Sequence, residues 1–435
     1  MITEKDILHK SYLEICENLT IKGLEEYNIK KLLFNETFYV QDLSWKSVIK
    51  NYIVTIMFDL NFRTQIDMER KNDELVLLSS KWNRKDHDDY WDKICSCFPE
   101  NTRISFADRR NSWRDAFKYF SFPNMFRNIK SARTIKRSLK DIKNKKHRNF
   151  LVNKLLQMEK LDRILKETKL KPKVAMCFFD SGFYENLAMQ FFKNRGAITV
   201  TNQHGQPVFK SWDYDRMNQS QILNFKCDYF LAKGEFSRKQ FVKAGFSEKQ
   251  IVVNGSFNNV GGYKRSYDEK KVFGTFLNCV ALPGAKEANR SLLEITTNLS
   301  EQFGLKFYIK LHPSDSLENY SSIKHNGLIK IITNDMSISE VAEKIDFGVL
   351  NESGVYLDLL NYKVRSFRWD NGIEFPLIED EHSLFTDITG LKKIVKKWMN
   401  TASIYKDKYF DEISFYYNGD GNASYNIKTF IEKML

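Results

Sequence analysis

The feature that most constrains this chain is an alternation of short apolar runs with helix-period stretches over residues 304–370. Residues 305–311 (LKFYIKL) and 347–350 (FGVL) read as buried strands, with helical patterns over 286–303, around 337–344 and over 353–360. Alternation at this length predicts a parallel sheet with right-handed crossovers. In such sheets ligands lie beyond the carboxyl ends of the strands. Those ends carry the turns Lys310-Leu311-His312-Pro313 and Asn351-Glu352-Ser353-Gly354.

The two turns present the chemistry of an anion site. Ser353 and Gly354 open a helix, so backbone N–H groups, a hydroxyl and the positive end of a helix dipole converge there. His312 and Lys310, at what reads as the neighbouring strand end, add imidazole and ammonium donors, and Pro313 stiffens the turn. Each residue alone has a plain structural reading, a serine cap or a histidine after a strand. Their combination favours a bound phosphate.

The same alternation occurs earlier. Strands are predicted over 74–79, 103–106, 173–179, 197–201, 227–231 and 251–253, with helices over 86–98, 183–193 and 235–244. Further helices are expected at 7–19, 45–58, 391–399 and 425–434. A stretch at 258–271 without apolar period reads as a linker, and the next sheet begins at 272–280, with Leu282 to Lys286 as its first loop. A chain of 435 residues exceeds what one core usually supports. The expected fold is α/β, with two Rossmann-like domains facing each other across a cleft that holds a nucleotide on one wall and a second substrate on the other. The divisions are 1–260, with a helical basic insertion at about 113–170; 271–400, the nucleotide-donor domain; and 401–435, helices that are candidates to pack back on the first domain.

Composition narrows the class. The net charge is +13, with 42% hydrophobic and 28% charged residues, which describes a globular, basic protein. No signal-peptide pattern opens the chain and no apolar run spans a bilayer, so a cytoplasmic location is expected, with the inner face of the plasma membrane as a candidate peripheral site. Six scattered cysteines fit reduced, buried thiols, and Cys95-Ser96-Cys97 lacks the second pair of a zinc site. Neither metal nor cofactor is expected. No helix-turn-helix, RNP-like or zinc-finger pattern appears, which argues against nucleic acid as a partner. The densest basic run, 127–148, carries Ile129, Ile135, Leu139 and Ile142 at near-helical spacing. Its basic face reads either as a solvated surface or as a patch resting on an anionic membrane.

Residues 228–255 (DYFLAKGEFSRKQFVKAGFSEKQIVVNG) resemble the end of the N-terminal domain of GT-B glycosyltransferases. The segment from His204 to Lys210 (HGQPVFK) is similar to the His-Gly-x-Pro-Leu-Lys segment of the CDP-glycerol glycerophosphotransferase and capsular-polysaccharide transferase group. Lys310 to Pro313 resembles that group's His-Pro motif, shared with bacterial sialyltransferases, and Ser353 to Asp358 (SGVYLD) resembles its Ser-Ser-Val-x-x-Asp segment. Gly354 stands where the second serine is expected, and Gly255-Ser256-Phe257-Asn258-Asn259 lacks the expected Arg and Asp.

The resemblance implies a metal-independent transferase moving a sugar from a nucleotide-activated donor to a hydroxyl of a bacterial surface glycan, on a lipid-linked or oligosaccharide acceptor. It assigns Lys310, His312, Pro313, Ser353, Gly354 and Asp358 to the donor, with Lys286 as a further phosphate candidate and Glu352 as an acceptor for a ribose or sugar hydroxyl. Gln203, Gly205 and Lys210 go to the acceptor. His204 is the candidate base, because an imidazole titrates near neutrality. Asp180 is the rival base, or the group that orients His204, or a cap for the helix at Phe183. Asp213-Tyr214-Asp215 reads as a loop. Alternatives are a CDP-glycerol-type polyol-phosphate transferase, a nucleotide-sugar epimerase, and a non-catalytic nucleotide-sugar or glycan-binding subunit.

Overall fold

A computed structural model describes residues 4–58, 64–81, 85–108, 120–180, 182–203, 227–243, 245–257, 272–278, 285–312, 315–320, 327–332, 336–351, 353–362, 364–370, 383–401 and 422–435. The chain divides into two units, Met1–Ala232 with Arg238–Val253 and Ser424–Leu435, and Lys233–Ser237 with Asn254–Ala423. Each is built on a twisted sheet that is wholly or mostly parallel. No helix among the described residues is long and apolar enough to cross a membrane.

The first sheet contains β1 (Thr64–Glu69), β2 (Asn72–Lys81), β3 (Asn101–Asp108), β4 (Val174–Cys177), β5 (Ile198–Asn202), β6 (Tyr229–Ala232) and β7 (Ile251–Val253), in the order β1-β3-β2-β4-β5-β6-β7. Every neighbouring pair is parallel except β1 and β3. Residues 75–78 (LVLL) are sealed on both faces, as expected of a strand interior to a parallel sheet covered by helices. Strand β1 was not foreseen. Its sequence TQIDME is polar, and only its position at the sheet edge makes it a strand.

The helix Lys145–Thr168 is the central prop of this unit. Asn144 caps it by accepting from the backbone N–H of Lys146 (2.9 Å) and His147 (3.3 Å), and Lys169 ends it in the left-handed region at φ 55°. Its Phe150, Leu151, Leu155, Met158, Leu161 and Leu165 are buried against the core. Residues 4–58, which carry no recognisable motif, are tied to this helix by buried polar bonds. Tyr12 Oη meets His147 Nδ1 at 2.8 Å, Tyr27 Oη donates to Asp162 Oδ1 at 2.6 Å, and Lys160 Nζ donates to the carbonyls of Phe58 and Thr55. The helix Ala423–Glu432 also belongs to this unit. Ile427 and Ile431 are fully buried, Phe430 meets Tyr229 edge-on at 5.2 Å, and Lys173 Nζ donates to the Leu435 carbonyl at 2.6 Å.

The second sheet contains β8 (Val272–Phe276), β9 (Lys306–Lys310), β10 (Ile329–Ile332), β11 (Phe347–Leu350), β12 (Arg365–Trp369) and β13 (Leu384–Phe385), all parallel, in the order β10-β9-β8-β11-β12-β13. In-register phenylalanines fill its core. The Phe273 ring stacks on Phe307 at 4.9 Å and on Phe347 at 5.1 Å, and Phe347 meets Trp398 edge-on at 5.2 Å. Two glycines admit neighbouring elements: a Cβ on Gly348 would lie 2.5 Å from Leu359 Cδ1, and one on Gly274 2.9 Å from Ile345 Cδ1. Gly348 thereby lets the helix Val355–Asn361, which begins at the Ser353 turn, lie close on β11.

Candidate functional site

In the second unit the carboxyl edge of the sheet brings the two predicted turns to one side. Lys310 ends β9 and Leu350 ends β11, and both register with Phe276 of β8. The strands are therefore not neighbours, as the sequence reading had them. Strand β8 lies between, which sets the two corners two strand spacings apart, roughly 10 Å. Lys310 is only 5% exposed, His312 is half-buried at the rim, and Ser353 and Asp358 are also half-buried.

The helix start differs in detail from the expectation. Gly354 (φ −58°, ψ −19°), not Ser353, is the cap residue, and the Ser353 hydroxyl accepts from the Val355 N–H at 3.3 Å. Gly354 is exposed, and a Cβ there would meet nothing within 4 Å. Asn351 is 3% exposed, and its Oδ1 has no hydrogen-bond partner among the described residues. It stands between β11 and the helix start, a buried acceptor that sequence reasoning passed over. Lys286 does not sit on a loop as expected. It is an exposed residue in the first turn of the helix Ala285–Phe303, whose Asn289 side chain bonds both the N–H and the carbonyl of Asn278 beyond β8.

In the first unit the carboxyl edge presents carboxylates. Asp180, three residues beyond β4, is 1% exposed. Its Oδ2 accepts from the backbone N–H of Cys227 (3.3 Å) and from the Cys227 thiol (3.2 Å), while its own N–H donates to Thr201 Oγ1 (3.2 Å). The cap of the helix Phe183–Lys193 is Gly182, with no side-chain bond, so Asp180 does not cap it. Instead Asn186 Nδ2 donates to the Asp180 carbonyl at 2.7 Å, fixing the turn. Burial pushes the Cys177 and Cys227 thiols up, and so does the nearby Asp180 charge, which holds both protonated. Gln203 follows β5 and is 1% exposed, its N–H donating to the Leu231 carbonyl at 3.0 Å.

Glu185 was missed by sequence reasoning. It is fully buried, with Oε1 accepting from the Ser80 N–H (2.8 Å) and Oε2 from the Ser80 hydroxyl (2.7 Å). Burial raises its carboxyl to about 7, with a smaller push from Asp180 and an opposing pull from the Ser80 bonds. The helix start approaches so closely that a Cβ on Gly182 would fall 2.3 Å from Glu185 Oε2. Its only sequence signal was an acid in the first turn of a helix after a strand, where a solvent-facing dipole partner is the ordinary reading. His204, Gly205, Lys210, Pro313, Glu352 and the Asp213-Tyr214-Asp215 segment lie outside the described residues.

No family model and no curated protein matches the chain. Solved structures do. The UDP-GlcNAc 2-epimerase of Methanocaldococcus jannaschii, in complex with UDP-GlcNAc and UDP, is similar at TM-score 0.53 and 13% identity over 82% of this chain and 99% of that one. The UDP-GlcNAc 2-epimerase of Neisseria meningitidis, bound to UDP-GlcNAc, is similar at TM-score 0.50 and 12% identity over 82% and 99%. The wall teichoic acid polymerase TagF, solved with CDPG, is similar at TM-score 0.50 and 13% identity over 93% and 97%. At these identities the likeness concerns the fold: this chain has a GT-B-type α/β fold of two Rossmann-like units.

Proposed function

We propose that the chain is a nucleotide-sugar-dependent glycosyltransferase that moves a sugar to a hydroxyl of a bacterial surface glycan. The observation that carries the reading is the carboxyl edge of the second sheet, where Lys310 and half-buried His312 end one strand and the Ser353–Gly354 helix start follows another. Cationic and N–H donors at a parallel sheet's carboxyl edge suit a nucleotide's phosphates.

In this mechanism the acceptor hydroxyl gives its proton to His204 as its oxygen bonds the anomeric carbon. The bond from that carbon to the phosphate oxygen breaks, and the departing nucleotide's charge is met by Lys310, His312 and the helix start. Asp180, through its bonds to Thr201 and Cys227, holds the turn beyond β4 rigid. Asp358, Glu352 and Lys286 serve the donor, and Gln203, Gly205 and Lys210 the acceptor, which is lipid-linked or an oligosaccharide.

Transfer of a polyol phosphate from a CDP donor is the second reading, favoured by the likeness to TagF over nearly the whole chain. Epimerisation of a UDP-sugar is a third, favoured by the epimerase likeness and by the proximity of Asp180 and Glu185.

A thermal-shift panel of UDP, CDP, CMP and GDP tests the donor, because a ligand at one hundred times its dissociation constant adds about 2.7 kcal/mol to folding. UDP or CMP stabilisation supports sugar transfer, and CDP supports the polyol route. Conversion of a UDP-sugar to its epimer without any acceptor would replace transfer by epimerisation. His312→Ala should weaken nucleotide binding, whereas His204→Ala should abolish turnover and spare binding. Wild-type turnover in both variants would refute the assigned roles.

A further inference from the structure

Two helices of the first unit, Trp45–Met57 and Phe122–Ser138, pack against one another and contain no Asp or Glu. Their inner faces bury Val48 and Val54 on one and Ala132 and Ile135 on the other. Asn128 Nδ2 donates to the Ile56 carbonyl at 3.0 Å, and the Phe58 and Phe120 rings meet at 6.2 Å, which joins the end of the first helix to the start of the second.

Their outer faces are apolar where water is expected. Trp45 (45%), Ile49 (37%) and Ile53 (46%) are exposed at four-residue spacing and so form one stripe, as do Phe122 (62%) and Phe126 (65%). Five of the ten large apolar side chains exposed among the described residues thus fall on this pair of helices. The cations are interleaved. Lys46 and Lys50 follow Trp45 and Ile49, and Arg127, Lys130, Arg133 and Arg137 line the second helix, all of them exposed.

We propose that this face docks on an anionic lipid bilayer, its aromatic and aliphatic side chains entering the headgroup boundary and its lysines and arginines pairing with lipid phosphates. Both halves of the surface fit that partner, since amphipathic helices of this kind bind by buried apolar area plus attraction to anionic lipid. A second copy of the chain fits badly, because a two-fold contact would set this row of cations against itself. The proposal deepens the reading of a lipid-linked acceptor and rests on it for its purpose. Its test uses neither nucleotide nor turnover, so failure of one conclusion is distinguishable from failure of the other.

The full chain is sedimented with vesicles of phosphatidylglycerol mixed with phosphatidylcholine, and with phosphatidylcholine alone, over a salt series. Binding should require the anionic lipid and weaken as salt rises. Lys130→Ala with Arg133→Ala should weaken it about 25-fold, each cation near such a surface being worth about fivefold. Phe122→Ser with Phe126→Ser should weaken it as well, with circular dichroism unchanged because both side chains lie outside the core. Equal binding to both vesicle types, variants that bind like the parent, or a parent that stays in solution would overturn the proposal. So would light scattering that shows a dimer dissolved by the phenylalanine variant.

Discussion

Replacing Glu185 by Gln isolates a titration buried inside the first unit. The carboxyl is fully enclosed, bonded to the Ser80 N–H and hydroxyl, and raised from an ordinary 4.5 to about 7. A carboxyl raised on folding binds its proton more tightly in the native chain than in the unfolded one. Its stabilisation is therefore complete below about pH 4.5 and is lost as pH rises through about 7, a difference of about 3 kcal/mol. The Gln side chain keeps an acceptor for the Ser80 N–H and has nothing to ionise. Wild type should thus lose stability relative to Glu185→Gln between pH 5 and pH 8, by about 6–12 °C in the midpoint of the first unit's transition. Paired melting curves across that range measure it, other titrating groups cancelling in the difference. Parallel curves for the two proteins would show that the Glu185 carboxyl is not raised and that its enclosure costs the ionised form little.

Two further changes test packing. Gly348→Ala would put a methyl 2.5 Å from Leu359 Cδ1 and 3.3 Å from Ser366 Oγ, so the second unit should lose about 1–3 kcal/mol in urea unfolding and nucleotide binding should weaken as the Ser353 turn is displaced. An unchanged urea midpoint would mean that the helix does not rest on β11 as described. Deleting residues 422–435 uncovers Tyr229 and removes the buried Ile427 and Ile431 and the Lys173 bond to Leu435, so the first unit's melting midpoint should fall and binding of a hydrophobic dye should rise. A truncated chain that melts like the parent would show that the last helix is dispensable to that unit.

Much of the fold was legible because parallel strands covered on both faces are continuous apolar runs. The runs VAMC and FGVL, buried at every position, reappear as β4 and β11, and the helix over 183–193 has the bounds the pattern predicts. Edge strands were less legible. Strand β1 pairs antiparallel at an edge of the first sheet and β10 (IKII) lies at an edge of the second, and such short or polar segments acquire strand character only from a neighbour distant in sequence. Strand order was likewise invisible. Nothing in the local pattern of residues 304–370 signals that β8, encoded before the helix Ala285–Phe303, inserts between β9 and β11.

The residues that most escaped the reading share one physical property, ionisable side chains enclosed by the fold. Arg365 and Arg368 are 6% and 4% exposed inside β12, where two charges in five residues argue against a core strand. Lys160 is 2% exposed within the central helix and is held by carbonyls about a hundred positions earlier. Glu185 is bonded to Ser80 across the sheet edge. Hydrophobic periodicity scores each of these as a solvent-facing position, because burial of a charge is tolerable only with partners and those partners lie far along the chain. The strand ends at Lys310 and Leu350 were legible for the opposite reason, since each closes an apolar run of consecutive residues. A strand end can be read from consecutive residues; a buried carboxyl such as Glu185, defined by the end of a strand about a hundred positions earlier, needs the fold first.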